Sequence, residues 1–199
     1  MSNLSLRAVI LLFLAVGIAN VTNAQIFGSP KDEQARLASF AQDAERLSKI
    51  TKKLSDIQKQ RTISLAPIER KPQFIVEKWK NESDALSSYI GMFSDIHGSS
   101  IVLLNAVALS LNVKEQHLPP FYLGSICFHM PGEAKVITHL AKDPTKKGVL
   151  VTWYRHIGEN ILEPNEMNIA LEGLQLTEKL AHSFNSLCNR ASKIENWNK

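Results

Sequence analysis

The sequence predicts an all-α protein, a bundle of about four to six helices with two long amphipathic helices at its ends. Three observations predict it. Charged stretches near both ends carry apolar residues at intervals of three and four, a nearly all-apolar stretch lies between them, and the one β-branched run has no second strand to pair with. The chain has 199 residues, 44% of them hydrophobic and 21% charged, with 9 Gly, 8 Pro and 2 Cys. This is enough for a real core, and the composition excludes disordered, collagen-like and disulfide-dense classes.

The first 24 residues read as a secretory signal peptide. Arg7 charges the n-region, Ala8 to Ala19 form the apolar h-region, and Thr22-Asn23-Ala24 offers small residues for cleavage before Gln25. The apolar run is too short to span a bilayer. Export is therefore expected, extracellular or periplasmic, with residues 25–199 forming a single helical domain. That mature chain carries 22 basic and 19 acidic residues, a balance of +3.

The first helix is expected from about Pro30 to Arg61. Leu37, Phe40, Ala44, Leu47, Ile50, Leu54 and Ile57 follow one another at intervals of three or four, which places them on one face. Residues 62–72 read as a linker, because Pro67 pushes Ala66 out of the helical region and Pro72 suits the first turn of a new helix. The second helix runs from Gln73 to His97 through Ile75, Trp79, Leu86, Tyr89, Ile90, Phe93 and Ile96, with a polar gap at Glu82-Ser83 and a stop at Gly98. Ser99 or Ser100 would cap a third helix, Ile101 to Leu111, apolar almost all round and suited to a central position.

Residues 114–161 are the least regular, with 114–132 reading as a loop punctuated by Pro119-Pro120, Gly124 and Pro131-Gly132. Asp143-Pro144 suggests the start of a helix. The run Val149-Leu150-Val151-Thr152-Trp153-Tyr154 fits either a helix or one short strand. The last helix, capped by Asn165, carries Met167, Ala170, Leu171, Leu174, Leu180, Ala181, Phe184, Leu187 and Cys188 near a 3.6-residue period.

Catalytic chemistry leaves no mark. The six histidines form no i, i+4 pair and no HExxH, and the chain lacks the glycine motifs of a phosphate loop, a dinucleotide site or a nucleophile elbow. No catalytic residue, metal ligand or cofactor is assigned. Cys127 and Cys188, the whole cysteine inventory, are expected to form one disulfide in an oxidising compartment. Asn81-Glu82-Ser83 is a glycosylation acceptor in a eukaryotic host.

Charge is uneven along the chain. Residues 25–80 carry 12 basic and 7 acidic side chains, whereas residues 81–199 carry 10 and 12. Lys49, Lys52, Lys53, Lys59 and Arg61 concentrate the excess at the end of the first helix and form the candidate partner-binding group. An acidic protein face, anionic lipid or polysaccharide would complement them. Nucleic acid is not expected of an exported chain without aromatics interleaved among its basic residues. The functional expectation is a secreted or periplasmic, non-enzymatic interaction protein. A carrier with an apolar pocket near Ile101–Leu111 and Phe121-Tyr122 is the alternative, and a hydrolase with a non-local site near Cys127, His129 and Tyr154 ranks last.

Overall fold

A computed structural model describes residues 30–112 and 148–191. The leader, the 114–132 loop, Asp143-Pro144 and Cys127 lie outside the described residues. Four α-helices and one 3-10 turn occur among them, and no strand: α1 Pro30–Ser64, the turn Ile68–Arg70, α2 Gln73–Asn112, α3 Val149–Gly158 and α4 Pro164–Ala191. The fold is all-α, a helical bundle.

Side-chain pairs between helices fix their directions. Gln58 on α1 bonds Ser83 and Ser87 of α2, and Arg61 bonds Glu82, so numbering rises along α1 as it falls along α2. Arg61, Arg46 and Asp43 meet Glu166, Glu172 and Lys179 in the same opposed order, which makes α1 antiparallel to α4 as well. It follows that α2 and α4 are parallel. Short α3 runs back between them. The Gly148 amide at its start donates to Glu178 Oε1 (2.6 Å), while the Tyr154 carbonyl further on accepts the Tyr89 hydroxyl (2.9 Å). Among the described residues the four helices alternate in direction, and α1, α2 and α4 span 35, 40 and 28 residues and α3 only 10.

The core is the stripe that the spacing predicts. Phe40, Ala44, Leu47, Ile50 and Leu54 of α1 are buried with Leu86, Tyr89, Phe93, Ile96 and Leu103 of α2 and Ala170, Leu174, Leu180, Phe184 and Leu187 of α4. Gly173 is what lets α4 approach α2. A Cβ there would lie 2.3 Å from Cε2 of the buried Phe93, so only glycine fits the seam without a shift.

The helix boundaries correct the expectation in three places and decide the reading left open at 149–154. The second and third predicted helices are one, because α2 continues through Gly98 to Asn112. Gly98 costs about 1 kcal/mol relative to alanine in a helix interior, but buried Ile96 and Leu103 anchor the turns on either side of it, and tertiary burial outweighs propensity. Ser100 caps nothing there; its hydroxyl donates back to the Ile96 carbonyl within the helix. The linker is shorter than predicted, since α1 extends to Ser64. Thr62 and Ser64 donate their hydroxyls to carbonyls four residues back, and the stop falls just before a cis Ala66–Pro67 bond. Residues 149–154 are helical. Gly148 supplies the left-handed turn (φ +84°) that opens α3, and its amide meets a carboxylate from α4, a contact that no local pattern announces. Finally, α4 begins at Pro164, with Glu163 in place of Asn165 at its entrance. The Glu163 amide donates to Glu166 Oε2 (3.1 Å) and its carbonyl accepts Met167 N–H (2.9 Å).

Candidate docking face

The buried stripe of α1 dictates where its basic residues go. At 100° per residue, Lys49, Lys52, Asp56 and Lys59 fall opposite Leu47, Ile50 and Leu54, with Lys53 on the flank. All four lysines are exposed. Lys49 pairs with Glu45 one turn earlier (3.0 Å), an exposed pair worth at most a few tenths of a kcal/mol. Lys52, Lys53 and Lys59 have no acidic partner among the described residues. From residue 45 to residue 59 the outer face of α1 therefore holds four cations against two carboxylates, Glu45, paired with Lys49, and Asp56, on a helix whose opposite face is locked into the core.

Arg61, grouped with these lysines by sequence, belongs elsewhere. It continues the buried stripe, four residues after Ile57, and points inward with only 19% of its side chain exposed. Its Nη1 donates to Glu82 Oε2 (2.6 Å) and its Nη2 to Glu166 Oε1 (2.6 Å). Both carboxylates are about as buried, at 10% and 12%. Three helices thus meet at one desolvated guanidinium, whose charge is committed within the chain. Lys78 stands at the margin, 3.6 Å from Glu82 and 3.8 Å from Glu163. The polar gap read at Glu82-Ser83 is the α2 side of this junction, where Ser83 also receives Gln58. The stripe's period could have placed Arg61; its partner Glu166 is more than a hundred residues away and has no local signal.

The other singled-out residues are dispersed. Asn81 is exposed on α2, one position before the buried Glu82. Cys188 packs partly buried against the core near the end of α4. Glu178, one turn before His182, is taken by the Gly148 amide. His182 Nε2, Ser99 Oγ and Thr177 Oγ1 are buried without hydrogen-bond partners. Burial pushes His97 below its ordinary pKa. Burial also pushes the Tyr89 hydroxyl up, as does the Glu159 carboxylate more weakly, against an opposing hydrogen bond from the Gly158 backbone. No group of three or more His, Cys, Asp or Glu side chains placed to hold a metal ion occurs among the described residues. No helix among them is long and apolar enough to cross a membrane.

Comparison with known protein families, with curated proteins and with solved structures finds no match. What the face offers chemically is electrostatic. Fixed, solvated cations on a rigid helix attract an extended acidic surface and set its orientation.

Proposed function

We propose that this chain is an exported, non-enzymatic helical interaction protein that docks on an acidic macromolecular surface through the outer face of α1. One observation carries the reading: Lys52, Lys53 and Lys59 stand exposed without acidic partners among the described residues, on a helix held by its inner face. Retention on a sulfated polysaccharide matrix tests it. The protein should elute late in a salt gradient, and Lys49→Ser, Lys52→Ser and Lys53→Ser combined should bring elution forward, because a face with fewer cations releases fewer counterions on binding. Unchanged elution of the triple variant would remove the face from consideration.

The same reading includes a leader cleaved after Ala24, a Cys127–Cys188 disulfide and, in a eukaryotic host, a glycan on Asn81. The absence of a free cysteine among the described residues and the exposure of Asn81 support the last two. A bridge between those cysteines encloses about 60 residues and contributes roughly 4 kcal/mol in the loop-entropy picture. Alkylation of either thiol in unreduced protein would refute the pairing.

A further inference from the structure

The end of the bundle where α1 turns into α2 has a composition unlike the rest of the described surface. Among the described residues the large hydrophobic side chains that stand exposed are Ile63, Phe74 and Val102, and the first two flank this one turn, at 75% and 69% exposure. Ile63 sits in the last turn of α1 on the same outward side as Lys52 and Lys59, and Phe74 in the first turn of α2. Around them Lys59, Arg70 and Lys71 are exposed and have no acidic partner among the described residues. Two exposed carboxylates with described side chains stand at this end: Glu77, which accepts a hydrogen bond from Gln73, and Glu163, 3.8 Å from Lys78.

The turn is also held in shape. Leu65 and Ala66 amides donate to the Arg61 and Ile63 carbonyls, and Arg70 and Lys71 amides to those of Pro67 and Ile68. Behind it the Arg61 junction ties α1, α2 and α4 together. The apolar pair and its cations are therefore presented on a preorganised tip.

We infer that this tip docks on an anionic lipid bilayer, with Ile63 and Phe74 entering the headgroup–acyl boundary while Lys59, Arg70 and Lys71 lie against the headgroups. The inference rests on the acidic-surface reading above and names its partner. Charge complementarity selects an anionic surface. Shape selects lipid over protein: a stable protein interface needs roughly 800 Å² of matched surface on each partner. Two apolar side chains on a convex turn instead suit a medium that closes around whatever enters it.

Sedimentation with lipid vesicles tests this, using the full chain with its leader removed. The protein should bind vesicles of phosphatidylcholine mixed with phosphatidylglycerol and not phosphatidylcholine alone. Ile63→Ser with Phe74→Ser should weaken that binding by at least about ten-fold, from the hydrophobic transfer lost at Phe74 alone. Arg70→Ser with Lys71→Ser should weaken it by about five-fold per cation. Both pairs are solvent-exposed, and circular dichroism confirms that the variants remain folded. Polyanion retention of the Ile63/Phe74 variant should match the parent. Equal vesicle binding by parent and Ile63/Phe74 variant, or equal binding to neutral and anionic vesicles, overturns the lipid assignment and leaves the α1 face standing. Loss of polyanion retention and vesicle binding in the parent overturns both.

Discussion

Replacing Arg61 with leucine removes a cation held nearly out of water between the Glu82 and Glu166 carboxylates. Each Arg61 pair has a Coulomb energy of about 4 kcal/mol at an effective dielectric constant near 20, and most of that offsets the cost of desolvating the ions. The asymmetry appears when one partner is deleted. Glu82 and Glu166 then keep their desolvation with only the exposed Lys78 ammonium and the Glu163 amide to offset it, so Arg61→Leu should cost about 3–5 kcal/mol. For a chain of this size that is a fall in Tm of roughly 6–20 °C. Urea unfolding followed by circular dichroism measures it. Changing Arg61, Glu82 and Glu166 together to leucine should recover most of the loss, since a packed apolar replacement of a buried ionic group is often neutral or stabilising. Arg46→Leu is the internal control. Its pair with Glu172 is 61% and 41% exposed, and the loss should stay within about 1 kcal/mol. A loss at Arg61 no larger than at Arg46 would refute the view that the junction is desolvated.

Two glycines in helices should respond with opposite signs. Gly91 has open space where a methyl would project, and Gly91→Ala should stabilise by about 0.5–1 kcal/mol, whereas Gly173→Ala, meeting Phe93 at 2.3 Å, should destabilise by about 1–3 kcal/mol; thermal melts that move the same way for both would sink the packing account. The Tyr89 hydroxyl, its pKa raised by burial, contributes stability that is present below the unfolded value of about 10 and lost as pH rises through the higher folded value. Alkaline loss of stability should therefore be smaller in Tyr89→Phe than in the parent. His97 has the reverse sign: its lowered folded pKa means stability present above about 6.5 and lost as pH falls below it, and denaturation curves at falling pH should show a smaller loss in His97→Gln. An identical pH profile in either variant would remove that residue from the explanation.

The parts of the fold written in local periodicity were legible: the α1 stripe from Phe40 to Leu54 and the α4 stripe from Ala170 to Leu187 are the buried faces observed. What misled were single residues whose local preference tertiary contacts override. Gly98 reads as a stop, yet the helix continues because both neighbouring turns are anchored. The run at 149–154 is ambiguous in isolation, and it is helical where α4 and Tyr89 supply Glu178 and a hydroxyl from far along the chain. The basic cluster was half legible. Spacing alone puts Lys49, Lys52, Lys53 and Lys59 outside and Arg61 inside, but charge invites grouping all five.

The parallel relation of α2 and α4 has a consequence for the order in which the molecule assembles. Side-chain bonds between α1 and α2 join residues 21 to 29 apart, whereas Arg61 reaches Glu166 across 105 and Arg46 reaches Glu172 across 126. Closing the longer loop costs about 1–1.5 kcal/mol more in chain entropy. The α1–α2 hairpin should therefore be formed in the folding transition state and α4 should dock late. Leu54→Ala and Leu86→Ala are expected mainly to slow folding, and Leu174→Ala mainly to speed unfolding. Stopped-flow kinetics showing the reverse partition would place the nucleus on α4. In a cell the same order makes synthesis directional: the hairpin leaves the ribosome first and waits, with its apolar seam open, for the helix that completes it.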